Sequence, residues 1–269
     1  MEKISAKTIQ DFGAQWSRYQ DNEGFYGSIE LLRDVCGPLF AIEELRGRRI
    51  LDIGSGTGRF VSIFLDAGAA HVVAVEPSDA IHVLKKNVQD RAESVTLMHV
   101  GGEHLPDLEP VDLVFSYGVL HHIPHPEPVV RRVFEVLKPG GKFLFWVYGW
   151  EGNQSYLRFV TPLRKVTSLL PDFLLAPLSQ VLTFFVTVYC ALSQFLPLPL
   201  HAYMRHVVKN LDWRKKFLTV FDQLNPAYAK YYRKEDAYLM MQSGGFGNIQ
   251  MYHRHGYSWT VIGEKPIQK

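Results

Sequence analysis

The residues best equipped for chemistry stand in one short stretch, LDIGSGTG (51–58), and at a few positions beyond it. The apolar run RRILDIG (48–54) stops at Gly54, and glycines recur at 56 and 58 before RFVSIFLDAG (59–68) takes up helical spacing and ends at Gly68. Glycine lets a backbone approach a ligand closely and adopt positive φ. The N-terminus of the helix that follows offers free N–H groups. This pattern describes a nucleotide-type site at the carboxyl edge of a parallel sheet. Asp52, two residues before the first glycine, suits a cationic amino group better than a pyrophosphate. Glu76 ends the next apolar run, HVVAVE (71–76), where a carboxylate can accept hydrogen bonds from both ribose hydroxyls. The glycines run G-x-G-x-G, Arg59 stands where the third glycine of a dinucleotide fingerprint would be, and no G-K-[ST] follows. A ligand with an ammonium group, a ribose and no phosphate is S-adenosylmethionine.

The surrounding pattern supplies the elements that would hold these groups. The amphipathic stretches AIHVLKKNVQD (80–90) and EPVVRRVFEVL (127–137) alternate with the apolar runs SVTLMHV (94–100), VDLVFSY (111–117) and KFLFWVY (142–148). Strands alternating with helices mean βαβ units and a parallel sheet. Runs apolar on both faces mean a sheet covered on both sides. The alternation stops after Trp150 and resumes with EDAYLMMQSGG (235–245), NIQMYHR (248–254) and SWTVIGE (258–264). The expected fold is α/β: a Rossmann-like, seven-stranded, mostly parallel sheet with helices on both faces. Residues 48–150 and 235–269 form the core, 1–47 an N-terminal helical lid segment, and 151–234 a helical cap between the fifth and sixth strands.

Five pieces in order resemble the class I S-adenosylmethionine-dependent methyltransferases, in the bacterial small-molecule branch with a ubiquinone-methylase-like core. They are LDIGSGTG (51–58), VVAVEPSD (72–79), GEHLP (102–106), VDLVFSYGVLHHI (111–123) and LKPGGKFLF (137–145). FGAQW (12–16) is similar to the opening segment of some members. The resemblance implies that Asp52, Gly54, Ser55 and Gly56 line the methionine moiety, that Glu76 holds the ribose, and that Pro77 and Ser78 flank the adenine. Thr57, Gly58, Gly102, Glu103, Ser116 and Tyr117 complete the implied cofactor set. One position departs from the family pattern. Where members often carry an Asp two residues before the third-strand Glu, this chain has Gly101. Adenine recognition then falls to backbone N–H groups near Gly102 and Glu103 or to another side chain.

His121 and His122 follow the fourth apolar run on the ligand side, and either is a candidate general base. Tyr19, Tyr26 and Tyr148 are candidates for the acceptor pocket, with Tyr117 at the end of a central strand. Asp112 reads as a structural residue at the sheet's edge. His253, His255 and Trp259 read as parts of a solvated hairpin. No carboxylate stands at ligand spacing from the histidine pair, so no metal is expected.

Composition narrows the remaining classes. With 47% apolar and 21% charged residues the chain is of ordinary globular type, which excludes disorder and low complexity. Cys36 and Cys190 are the only cysteines, far apart, so a disulfide scaffold or zinc site is not expected and a reducing cytoplasm fits. The first twelve residues lack the apolar core of a secretory signal. Residues 151–235 hold 11 Lys and Arg against 5 Asp and Glu, inside a body with the opposite bias. That bias suits an anionic partner. Residues 173–200 contain no charged side chain, while Pro162, Pro171, Pro177, Pro197 and Pro199 are expected to break the helices here. A membrane span would divide the α/β core. The preferred reading is a cap over a small, apolar or amphipathic acceptor, lipid-like or anionic, and the second is peripheral membrane contact. The basic surplus is too modest for nucleic acid, which is not expected as a partner. The function expected is methyl transfer to O, N or C. A non-catalytic binding module and a nicotinamide oxidoreductase are the alternatives.

Overall fold

The computed structural model describes residues 2–226 and 228–267, with side chains from residue 6 onward. The chain opens with α1 (Glu2–Arg18) and α2 (Ile29–Cys36), the latter capped by Ser28, whose Oγ accepts from the Leu31 N–H at 3.2 Å. The alternating region then runs β1 (Arg49–Ile53), α3 (Arg59–Asp66), β2 (His71–Val75), α4 (Ala80–Asn87), β3 (Val95–Met98), β4 (Val111–Tyr117), α5 (Glu127–Val136) and β5 (Leu137–Tyr148). Four helices follow: α6 (Gln154–Thr167), α7 (Asp172–Leu192), α8 (His201–His206) and α9 (Trp213–Leu224). The fold closes with α10 (Lys234–Ser243), β6 (Gly247–Arg254) and β7 (Ser258–Glu264).

All seven strands form one sheet in the order β3-β2-β1-β4-β5-β7-β6, parallel except for β7, which runs antiparallel to both β5 and β6. The chain order reverses between β1 and β4, which fixes the ligand crevice beyond the carboxyl ends of those two strands. Strand alternation divides the core. Leu51, Ile53, Val73 and Val75 enter one apolar cluster with α5 and α10, while Ile50, Val72 and Ala74 enter the other with α2 and α3. At the opposite, N-terminal edge, Asp112 accepts from the Arg49 N–H at 2.8 Å and from Lys138 Nζ at 2.8 Å. It clamps three strands, as its position predicts.

Two sequence expectations change. Pro162 and Pro177 lie inside α6 and α7 without ending them. Both sit on exposed faces, where the carbonyl left without an N–H partner reaches solvent. Only Pro171 and the Pro197–Pro199 stretch border helices. The hairpin joining β6 to β7 is packed against the body of the fold, with Arg254, Tyr257 and Ser258 buried and His253, His255 and Gly256 partly so, rather than solvated. Arg254 is fully enclosed and donates through Nε to Asp34 at 2.9 Å, His255 meets the other Asp34 oxygen at 2.6 Å, and His253 stacks on Trp259 at 4.2 Å. Burial pushes the Asp34 carboxyl up, but His255 and Arg254 hold it below its usual range.

The insert has its own small core of Leu157, Val160, Leu175, Phe217, Leu218, Phe221 and Leu224. Its outer surface is unusual. Phe159, Leu169, Phe173, Phe184, Phe185 and Phe195 are all exposed. Each such side chain left in water forgoes about 1.5–3 kcal/mol that burial would supply.

Candidate active site

The glycine loop is held by its own strand neighbours. The N–H groups of Gly54 and Ser55 both donate to the Val75 carbonyl, at 2.8 and 3.0 Å, so the loop after β1 is tied to the end of β2. Gly54 has φ +74°, and a Cβ there would lie 2.2 Å from a Val119 methyl, so the turn after β4 abuts bare backbone. Gly58, with φ +85°, caps α3, and Gly68, with φ +91°, follows its last turn as the sequence predicts.

Two carboxylates flank this loop. Asp52 is buried, and its Oδ2 has no hydrogen-bond partner. Burial pushes its carboxyl up to about 7, with the nearby Glu76 adding to the rise and Arg59 opposing it. An orphaned buried carboxylate oxygen is costly unless a cation comes to it. Glu76 is better satisfied. Its Oε2 accepts from the Gly56 N–H at 2.8 Å and its Oε1 from the Ser78 N–H at 2.9 Å and the Ser78 hydroxyl at 2.5 Å. Burial raises its pKa against these hydrogen bonds. Oε1 thus has both lone pairs engaged, while Oε2 keeps one for a further donor.

A cavity of about 850 Å³ opens from this loop toward the insert. Asp52, Gly54, Ser55, Gly56, Thr57, Glu76, Pro77, Gly102, Glu103, Tyr117, His122, Tyr26 and Tyr148 line it, all named from the sequence. Five named residues lie off its wall. Gly58 is the helix cap, and Ser78 stands behind Glu76 as its hydrogen-bond donor. Ser116 is enclosed in β4, its Oγ directed at the Ile53 carbonyl at 3.5 Å. Tyr19 packs edge-on against Phe217 at 5.6 Å, within the insert's core. His121 is fully buried between His122 and Tyr148, ring centroids 4.2 and 3.9 Å away, and neither nitrogen has a partner. Burial pushes its pKa well below the usual histidine value, so it is neutral packing.

His122 differs from its neighbour. Its Nδ1 lies 2.8 Å from the Tyr228 carbonyl. A carbonyl only accepts, so Nδ1 carries the proton and Nε2 keeps its lone pair. Burial pushes the imidazole pKa down to about 4. At Gly101 a Cβ would lie 2.6 Å from Glu103 Oε2. The Glu103 carboxylate therefore fills the space beside residue 101, where the family pattern has an Asp.

The far wall belongs to the insert, and its individual residues were not read from the sequence. Asp222 on α9 lines the cavity and accepts a hydrogen bond from Gln15 Nε2. Burial pushes its carboxyl up to about 7, against the Gln15 hydrogen bond and the Arg59 charge. Next to it, Gln223 Oε1 accepts from Tyr156 at 2.9 Å, Tyr231 at 3.0 Å and Arg164 at 3.2 Å, while its Nε2 donates to the Tyr148 hydroxyl at 2.8 Å. Phe159, Val160, Leu163, Leu182, Phe185 and Val186 make the rest of this wall apolar. One signal was present: Asp222 stands four residues after Leu218 and next to Phe221, an acid bordering the apolar stripe of an amphipathic helix.

The helix α1 bridges the two walls. Trp16 and Phe12 line the cavity; the Trp16 indole lies 3.9 Å from where a Gly56 Cβ would be, and Phe12 stands edge-on to His122 at 4.8 Å. From the same helix Gln15 reaches Asp222. Just beyond it, Asp21 accepts from the buried Lys215 of α9 at 2.7 Å.

Among known proteins, residues 51–145 match the family described as "Methyltransferase domain". The chain is 35% identical over 116 residues to the tRNA U34 carboxymethyltransferase of Pseudoalteromonas translucida, covering 42% of this chain and 36% of that protein. It is 26% identical over 188 residues to the ubiquinone biosynthesis O-methyltransferase of Idiomarina loihiensis, covering 60% and 76%. The chain thus spans about a third of the length of the tRNA-modifying relative. Among solved structures it shares its fold with the 1,6-didemethyltoxoflavin-N1-methyltransferase of Burkholderia thailandensis (TM-score 0.59, 14% identity, 98% of this chain and 90% of that one). It does so too with the magnesium protoporphyrin IX methyltransferase of Synechocystis PCC 6803 (TM-score 0.57, 14% identity, 98% and 100%). On these grounds residues 51–145 form a methyltransferase domain, and the chain shares the Rossmann-like fold of S-adenosylmethionine-dependent methyltransferases.

Proposed function

We propose that the protein transfers a methyl group to a small, apolar or amphipathic acceptor held beneath residues 151–234. The observation that carries this reading is the single cavity that runs from the glycine loop to an apolar wall built by the insert. The residues present fit the cofactor. Asp52 offers an unpartnered buried oxygen to an ammonium group, Glu76 keeps a free lone pair on Oε2 for a ribose hydroxyl, and Glu103 stands in for the side chain that Gly101 lacks. S-adenosylmethionine supplies an electrophilic methyl group on a sulfonium centre.

The chain's own residues then align and deprotonate the acceptor, and orientation supplies most of the acceleration. His122, neutral with Nε2 unprotonated, accepts a hydrogen bond from an acceptor hydroxyl or amine and fixes its direction. With a pKa near 4 it is a poor final home for the proton. Asp222, near 7 and on the same cavity, is better matched to take it. The apolar wall and α1 exclude water.

The test is incubation of the purified protein with methyl-tritiated S-adenosylmethionine and a cell extract, followed by solvent partition. Label in the organic phase is the expected result. Acid-precipitable, ribonuclease-sensitive label would instead favour methyl transfer to RNA, the acceptor class of the tRNA-acting relatives, whose similarity reaches 42% of this chain. Aqueous small-molecule label would make the acceptor a polar metabolite.

A further inference from the structure

The helix α7 is built inside out. Its buried residues are Leu175, Ser179, Thr183 and Cys190, two of them hydroxyl-bearing, and the first three are completely enclosed. Its outward face carries Phe173 (73% exposed), Val181, Phe184 (57%), Phe185 (61%), Val188 and Leu192. These positions recur at helical spacing, so they form one stripe. A helix on a water-facing surface shows the reverse arrangement. Phe159 and Leu169 at 78% and 79%, and Phe195 at 88%, extend the apolar surface on either side. A patch of this kind marks an interaction site.

We propose that this face rests on the surface of an anionic lipid bilayer and that the acceptor passes from the bilayer into the cavity between Phe159, Leu163 and Phe185. The second half rests on the function proposed above. Charge selects lipid as the occupant. No acidic residue occurs between Asp172 and Asp212, and Arg158, Lys165, Arg205 and Lys209 are exposed with no ion pair among the described residues. Apolar side chains among unpaired cations match an interface of acyl chains and anionic headgroups. A second copy of the same face would set these cations against each other. The helix is long and apolar enough to cross a membrane, but it packs along α9, whose Lys215 is tied to Asp21, and the chain afterwards returns to the sheet as β6 and β7. It therefore lies along the surface. Phe159, Leu163 and Phe185 are exposed and also line the cavity, which joins the face to the site.

The experiment is sedimentation of the full chain with phosphatidylcholine vesicles, with and without phosphatidylglycerol. The protein is expected to pellet with the mixed vesicles and to be released as salt rises. The double variant Phe184→Glu/Phe195→Glu, neither position lining the cavity, should lower the bound fraction at least about tenfold while cofactor affinity and Tm stay unchanged. Lys165→Glu/Lys209→Glu should weaken binding to the mixed vesicles without altering the fold. A wild-type chain that never pellets, or double variants that pellet as it does, would overturn the proposal. So would a wild-type dimer in light scattering that Phe184→Glu/Phe195→Glu dissolves. Failure of the wild type to bind S-adenosylmethionine would sink the functional reading and leave a positive vesicle result standing.

Discussion

The two walls of the cavity are made of different material. On the sheet side the groups that meet a ligand are backbone N–H groups, glycines at positive φ and two carboxylates fixed at strand ends. On the insert side they are phenylalanines, tyrosines, an amide network around Gln223 and one lone acid, Asp222. Backbone geometry cannot be altered by point substitution without distorting the sheet, so it suits an invariable cofactor. Packed side chains can be exchanged one at a time at modest cost, so they suit an acceptor that differs from one relative to another.

The contrast can be broken most forcefully at Asp222. If it takes the acceptor's proton, Asp222→Asn should lower kcat by about 10²–10⁴-fold and remove a pH-rate limb near neutrality, with cofactor Kd unchanged. An equal loss in cofactor affinity would mean that the two walls do not divide the work. Asp52 probes the other side. Asp52→Asn should weaken cofactor binding about 10–100-fold, the value of a charge-assisted hydrogen bond, as read by calorimetry. The wild-type carboxyl titrates near 7, and only its charged form attracts an ammonium group. Affinity should therefore rise with pH toward 7, by at most about tenfold per pH unit, and level off above it. In the Asn variant that slope should vanish.

The smallest effect sharpens the comparison by lying outside it. Burial raises Asp112, but Lys138, the Arg49 N–H and Arg48 hold its carboxyl below the usual carboxylate value of 3.8. A depressed folded pKa means its stabilisation is complete above 3.8 and is lost as pH falls through the folded value. Asp112→Asn should cost about 1–2 kcal/mol at neutral pH by denaturant melts, less in acid, and leave cofactor affinity alone.

How far the molecule could be read from its residues follows the same division. Gly54, Gly56 and Gly58 were legible because positive φ and close approach require glycine, and Glu76 because a strand end has a fixed place in a parallel sheet. The mostly parallel sheet followed from the alternation of strands and helices. The insert was not legible. Its proline positions suggested breaks, yet Pro162 and Pro177 sit on exposed faces that tolerate them. Ser179 and Thr183 point inward while phenylalanines of the same helix face out, an arrangement that composition does not announce. The burial of Arg254 was hidden because its partner, Asp34, lies 220 residues away. Of the two adjacent histidines, only tertiary structure separates His122, with its Tyr228 partner, from the enclosed His121.

The placement of α1 carries a consequence for thermodynamics. One helix sets Trp16 against the glycine loop, Phe12 against His122 and Gln15 against Asp222. A wedge shared by two sites makes their occupancies linked functions. Whatever factor the cofactor imposes on acceptor affinity by shifting or stiffening α1, the acceptor must impose on cofactor affinity in return. A dissociation constant measured for either ligand alone is then one corner of a square, and the coupling between the two ligands is the quantity that α1 sets.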